Sequence, residues 1–425
     1  MEFNTLNLHA QIAAGIKAAG FTTQTPIQAQ AIPPALRKQD VMGLAQTGTG
    51  KTAAFVLPIL QRLITGPRGP VRALVIAPTR ELAEQIHETI RTLGRRTGLR
   101  CATVYGGVNI NSQIKKLRAG VDIIVACPGR LLDHINQRTI NLSKLEVLVL
   151  DEADRMLDMG FLPDIKKIIS HIPHARQTML FSATMPDAIR KLANNILQAP
   201  VTIQIDHSAP ANTVTHALYP VDQSLKTGLL LKLLGNTDTE SVLVFTRTKH
   251  RAKRVGVQLE KAGYRAASLQ GNLSQSKRQE ALKGFRNGRY QVLVATDIAA
   301  RGIDVSCISH VINFDMPDTT DAYTHRIGRT GRAAKTGDAF TFMTREDEPI
   351  VRSIERVLGE KVERRTLEGF DYTKLSPASS TGNARPPRRL QQGNGKKKKT
   401  MAWTNVSALS HKSGRKRKPV RKAAI

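Results

Sequence analysis

The chain has 425 residues, 40% of them hydrophobic, which is enough for two or three domains that each bury a core. It carries 64 Lys and Arg against 34 Asp and Glu, a formal net charge of +30, so partners are expected among polyanions, with nucleic acid ahead of a membrane surface or a chaperone-like role. Cys101, Cys127 and Cys307 lie far apart and form no Cys-x-x-Cys pair, which argues against a disulfide framework and a zinc site and for a reducing compartment. The first residues lack the charged and apolar regions of a signal peptide, and no apolar run is long enough to span a bilayer, so a cytoplasmic protein with no membrane partner is expected.

Short β-branched runs recur along the chain, each followed by a polar loop and a longer segment of helical period. The first half has strand-like runs at 40–44, 73–77, 122–126, 147–150 and 178–181, with a helical stretch at 80–93. The second half repeats the pattern at 241–245, 291–295, 310–314 and 339–343, with a helical stretch at 249–262. Strands that are apolar nearly throughout, alternating with helices, predict an α/β fold with parallel sheets covered on both faces. Aromatic residues are only 4%, so Ile, Leu, Val and Ala should build the cores.

The run Asp-His-Ser-Ala-Pro-Ala-Asn-Thr at 206–213 is polar with a central proline and reads as a linker between one domain at 1–205 and a second at 214–370. After Asp371 there is no acidic residue, and 14 Lys and Arg fall within the last 50 residues. With its Pro, Gly, Ser and Gln content, 371–425 is expected to be a disordered tail that anchors nucleic acid.

Two runs carry phosphate chemistry. The first is Ala45-Gln46-Thr47-Gly48-Thr49-Gly50-Lys51-Thr52, a Walker A loop with Ala45 where the general pattern has Gly. Gly48 and Gly50 let backbone N–H groups curl around a β-phosphate, Lys51 reaches the β- and γ-phosphates, and the Thr52 hydroxyl can sit on Mg²⁺. The second is Asp151-Glu152-Ala153-Asp154, at the carboxyl end of the run 147–150, where parallel sheets keep their ligand residues. Asp151 would hold the Mg²⁺ and Glu152 would orient or deprotonate an attacking water. Three acids straight after a buried strand are costly unless paired or used.

Together these runs resemble the DEAD-box ATP-dependent RNA helicases of superfamily 2, over about residues 1–370, and among bacterial branches they are most similar to the RhlE-type group. The resemblance implies two tandem RecA-like domains, ATP and Mg²⁺ as cofactors, and RNA as partner. It identifies further residues. Phe21, Thr25 and Gln28 resemble the Q motif, with Gln28 reading the adenine edge and Phe21 stacking on the base; Gln24 stands where the family has Pro. Arg80 resembles motif Ia, Gly107 the paired glycines, and Arg130 motif Ib, where Cys127 replaces a Thr. These would hold the RNA backbone. Ser182 and Thr184 resemble motif III, which couples the two ligands.

In the second domain Thr246 and Arg247 resemble motif IV, Arg278 belongs to a Gln-x-x-Arg element, and Gln270-Gly271-Asn272 stands where many relatives have His-Gly-Asp. Thr296 and Arg301 of motif V would face RNA, with Asp304 on the ribose. Motif VI supplies His325 for coupling, and Arg329 and Arg332 as arginine fingers. Spacing i, i+3 would put the two arginines on one helical face. The expected activity is RNA-stimulated ATP hydrolysis that locally unwinds short RNA duplexes or remodels RNA–protein complexes. An ATP-dependent RNA clamp without unwinding is the alternative. Ribosome-assembly and RNA-decay proteins are candidate partners.

Overall fold

The computed structural model describes residues 1–46, 48–205, 214–237, 240–300, 308–331 and 337–373. Its first sheet has seven parallel strands: β1 (Val41–Leu44), β2 (Ala73–Ile76), β3 (Cys101–Val104), β4 (Ile123–Ala126), β5 (Val147–Leu150), β6 (Gln177–Ser182) and β7 (Val201–Gln204). The second also has seven: β8 (Val214–Pro220), β9 (Val242–Phe245), β10 (Ala266–Leu269), β11 (Val292–Ala295), β12 (His310–Asn313), β13 (Gly337–Met343) and β14 (Glu363–Arg364). Both are parallel throughout, as the alternating pattern predicted. This is the tandem RecA-like arrangement.

Alternation along each strand gives every sheet two cores. In the first, Val75, Val125 and Val149 face one layer of helices, while Leu74, Ile124 and Leu148 face the other. In the second sheet Val244 and Val294 face one way, and Leu243 and Leu293 the other. Each of these side chains is fully buried, and each contributes about 1.5–3 kcal/mol relative to exposure. Strands enclosed on both faces need apolar residues at every position, which is why their sequence shows no period of two.

The sheets share one strand order. The first runs β3-β4-β2-β5-β6-β1-β7 and the second β10-β11-β9-β12-β13-β8-β14, so β8 stands where β1 stands and β12 where β5 stands. The correspondence reaches individual residues. Lys51 opens the helix after β1, and Lys226 opens the helix after β8. Asp151 follows β5, and Asp315 lies just beyond β12. The rim of strand carboxyl ends in the first sheet bears the Walker loop; the same rim of the second presents motifs IV to VI.

Candidate functional site

The Walker loop turns on glycine. Gly48 (φ +89°) and Gly50 (φ +93°) adopt left-handed backbone that side-chain-bearing residues avoid. Gly50 then starts the helix Lys51–Leu63, whose first N–H groups point into the loop. The Ala45 N–H donates to the Ser182 carbonyl at 3.0 Å, tying the loop to motif III. Ala45 is fully buried, so the missing first glycine costs the loop nothing that a small residue cannot supply. Lys51 is 6% exposed, and its ammonium donates to the Ala45 carbonyl at 2.7 Å. Thr49 Oγ1 closes the turn on the Gln46 carbonyl at 2.8 Å, and Thr52 is half-buried. Thr47 lies outside the described residues.

Gln28 holds this loop from outside. Its Oε1 accepts the Thr25 N–H at 3.0 Å and its Nε2 donates to the Gly50 carbonyl at 3.0 Å. A primary amide has two donors and two acceptor lone pairs, so one of each is left for a base edge. Gln24, in place of proline, donates from Nε2 to the Glu2 carbonyl at 2.7 Å, which supplies by hydrogen bonding the loop restraint a proline ring would give. Phe21 is 39% exposed beside the buried Phe3, ring centroids 6.0 Å apart.

At the end of β5, Asp151 is nearly fully buried, and its Oδ1 accepts the Glu152 N–H. Burial and the neighbouring Glu152 raise its carboxyl, against the opposing charge of Lys51. Glu152 sits at φ +54°, a left-handed position rare for a residue with a side chain, which turns the chain sharply off the strand. Its carboxylate accepts Arg155 Nη1 at 2.7 Å, with both side chains 5% exposed. Asp154 serves motif III: its Oδ2 accepts the Ala183 N–H, the Thr184 N–H and the Thr184 hydroxyl at 2.9–3.2 Å. Ser182 Oγ in turn accepts the Asp154 N–H at 3.1 Å. Burial acts to raise the Asp154 carboxyl, but Lys51, the Thr184 N–H, Arg155 and His325 together hold it below its usual range.

The second sheet brings motif VI against this surface. A small cavity of about 40 Å³ is lined by Arg155 and Asp158 from one side and by Phe245, Asp297, His325 and Arg329 among others from the second. Burial first, then the charge of Arg155, pushes the His325 imidazole down to about 4, so it is neutral at neutral pH. Arg326 binds Asp297 through two hydrogen bonds of 2.6 and 2.7 Å and also reaches the Asp315 carbonyl, so it fastens motif VI to motif V beside Thr296. Arg329 is 5% exposed but is not on a helix. The helix Thr320–Ile327 stops at Gly328, and Thr330 Oγ1 is drawn to the Ile308 carbonyl at 2.6 Å, which bends the chain away. The expected shared helical face for Arg329 and Arg332 is therefore wrong for Arg329. Arg332, Arg301 and Asp304 lie outside the described residues, as do the linker 206–213 and the tail from 374.

The residues read as RNA contacts divide. Arg80 Nη1 donates to Gln275 Oε1 of the second sheet's domain at 3.3 Å and packs under Gly107, where a Cβ would meet it at 2.0 Å. Arg278 Nε donates to Glu81 Oε1 at 2.9 Å, again across the cleft. Arg130 reaches the Val108 carbonyl at 3.1 Å. Thr246 is buried, its hydroxyl on the Thr248 carbonyl, whereas Arg247 is half exposed. Sequence reasoning gave no role to Glu81, Arg155, Asp297 or Arg326. An arginine three residues after Glu152, one helical turn on, was a signal that could have been used for Arg155; the cross-cleft partners left none.

A family model described as DEAD/DEAH box helicase matches residues 25–192, and one described as helicase conserved C-terminal domain matches residues 225–334. The DEAD-box ATP-dependent RNA helicase CshA of Bacillus subtilis is 44% identical over 85% of this chain and 73% of its own length. Among solved structures, S. cerevisiae Dbp5 bound to RNA and ADP BeF3 is similar at TM-score 0.78 and 31% identity, covering 86% of this chain and 95% of its own. Mss116 bound to ssRNA and UDP-BeF gives 0.79 at 27% identity, covering 87% and 81%. A DEAD box protein from Methanococcus jannaschii is more alike in sequence, at 37% identity over 86% and 99%, yet reaches only 0.52. With the loop, the acidic run and the cross-cleft motifs all in place, the chain belongs to the DEAD-box branch of the DEAD/DEAH box helicases.

Proposed function

We propose that this chain is an ATP-dependent RNA helicase that hydrolyses ATP when RNA is bound and separates short duplexes by closing its two domains on one strand. The observation that carries this reading is the meeting, at one cavity, of Arg155, which holds the Glu152 carboxylate, with His325 and Arg329 from the second sheet, while the charges of both Lys51 and His325 act on Asp154. The domain placement supports it as well: the closer structural matches are the relatives solved with RNA and a nucleotide.

Lys51, together with the loop N–H groups beyond Ala45 and the start of the helix Lys51–Leu63, holds the phosphates; Gln28 and Phe21 take the adenine, with Thr25 positioning Gln28. Thr52 and Asp151 offer hard oxygen ligands beside the phosphate loop, which suits Mg²⁺, an ion that would offset phosphate charge there. Glu152 orients the attacking water. Arg329 and Arg332 meet the γ-phosphate from the opposite domain, and Asp304 reaches the ribose. Arg80, Gly107, Arg130, Thr246, Arg247, Arg278, Thr296 and Arg301 follow the RNA backbone. Ser182, Thr184 and His325 pass closure between the sites. Each ligand makes contacts that exist only when the domains are closed, so each favours the other's binding.

The finer readings are also proposals. Domains at 1–205 and 214–370 are joined by the linker 206–213, and 371–425 is a basic RNA anchor. The RhlE-type branch remains our reading of the motifs, while the Bacillus subtilis relative named above is a CshA protein. A cytoplasmic location and ribosome-assembly or RNA-decay partners accord with RNA work. The test is ATP hydrolysis with and without single-stranded RNA, alongside displacement of a short RNA duplex. RNA-stimulated turnover with displacement supports the helicase. Stimulated turnover without displacement gives the ATP-dependent clamp, and no stimulation overturns both.

A further inference from the structure

We propose that Arg155, the residue directly after the Asp-Glu-Ala-Asp run, is the positioning residue that aims the Glu152 carboxylate and makes that aim depend on closure of the domains. The proposal rests on the reading of Glu152 as the residue that orients the attacking water. Glu152 leaves its strand in a left-handed conformation, so its side chain projects from a fixed backbone, and Arg155 one turn later takes its Oε2 at 2.7 Å. Both side chains are 5% exposed, and the Arg155 N–H is itself held by Asp154 Oδ1 at 3.0 Å. The carboxylate is thus held by an arginine whose backbone is held in turn.

Stability does not call for an ion pair here. A buried pair loses in desolvation about what it gains in attraction, and apolar replacements of similar volume are often neutral or better. An ionic clamp on one carboxylate therefore points to a need for direction. The surroundings of Arg155 say what that direction answers to. Its guanidinium lines the 40 Å³ cavity whose other wall carries His325 and Arg329, and its charge is among those that keep His325 neutral. Arg155 thus shares one small cavity with motif VI, among the carboxylates of Asp158 and Asp297, and does so only while the domains are together. A change in closure at that wall would move Arg155, and with Arg155 the carboxylate it holds.

The test uses the full chain with Arg155→Met, Arg155→Lys, Glu152→Gln and the Arg155→Met/Glu152→Gln double variant. Read out are RNA-stimulated kcat, KM for ATP, affinity for a non-hydrolysable ATP analogue, and the unfolding midpoint. We expect Arg155→Met to lower kcat by about 10-fold or more, with KM and analogue affinity within about 2-fold, since only transition-state geometry is lost. Arg155→Lys should recover part of the rate, and in the Glu152→Gln background the second change should cost less than about 2-fold, because the two act as one unit. Turnover by Arg155→Met within about 2-fold of the parent, or losses that multiply in the double variant, would overturn the proposal. If Arg155→Met fails to fold, Arg155→Lys decides: a selective fall in kcat supports positioning, and parent-like kcat overturns it. Near-normal turnover by Glu152→Gln would instead sink the water-orienting reading itself, so the two failures are distinguishable.

Discussion

Glu81 of motif Ia accepts the Nε of Arg278 at 2.9 Å across the cleft, from side chains only 6% and 12% exposed, and the Gln275 amide approaches the same oxygen at 3.4 Å. The contact exists only while the domains are together. Glu81→Ala should therefore leave each domain folded and weaken closure. We expect a rise of about 10-fold in the RNA concentration that half-saturates ATP hydrolysis, with a Glu81/Arg278 coupling energy of about 0.5–3 kcal/mol in a double-mutant cycle. Unchanged RNA dependence would make the pair incidental.

Arg329→Lys keeps the charge but removes the planar fork. Turnover should fall by about 10³ or more, with ATP binding within a few-fold of the parent. Steady-state hydrolysis alongside equilibrium nucleotide binding checks this, and near-normal turnover would remove Arg329 from the γ-phosphate.

Gly50→Ala meets two obstacles at once. Its φ of +93° lies where L side chains are strained, and the new methyl would sit 2.5 Å from Gln28 Nε2. We expect the KM for ATP to rise at least about 10-fold, the loss a displaced phosphate cradle implies. Gln28→Ala should raise it less while narrowing the preference for ATP over GTP. Competition between the two nucleotides reads both effects.

His325 carries a pH signature. Burial lowers its imidazole from 6.5 to about 4, so the unfolded chain binds the more protons between those values and stability falls as pH drops through the window. The stability of the parent minus that of His325→Gln should decrease from pH 6.5 towards pH 4 and be flat above pH 7. Denaturant titrations at matched pH test the sign.

Deleting 376–425 removes 14 of the cations. If about seven of them touch phosphates, the dependence of log K on log salt for single-stranded RNA should flatten by roughly 5. An unchanged slope would leave the tail without an RNA role.

The sequence was most legible where chemistry restricts it most. Gly48, Gly50 and Lys51 stand at offsets that few loops satisfy, and strands such as Val147–Leu150 are apolar at every position because both faces are covered. Strands nearer the sheet edges were harder to see. β3 and β7 alternate between buried and open positions over four residues, and β14 is two exposed residues, too short to show a period. The cross-cleft pairs were not legible at all, since Glu81 and Arg278 are 197 residues apart and each alone resembles a surface charge. The helical placement of Arg329 failed because a spacing of three says nothing about a helix that Gly328 has already ended.

The shared strand order of the two sheets fixes a stoichiometry. Lys226 stands in the second sheet where Lys51 stands in the first, yet the turn before it, Val221-Asp222-Gln223-Ser224-Leu225, has no glycine to wrap a phosphate. Its ammonium is already taken by the Phe342 carbonyl, and Asp315 and Asp347 lie close enough to repel a triphosphate. Two like frames thus hold one nucleotide between them, and a binding isotherm should saturate at a single ATP per chain. On the proposed reading, each nucleotide is gripped by one frame and met by the other, so that every closure of the domains has one ATP to act on.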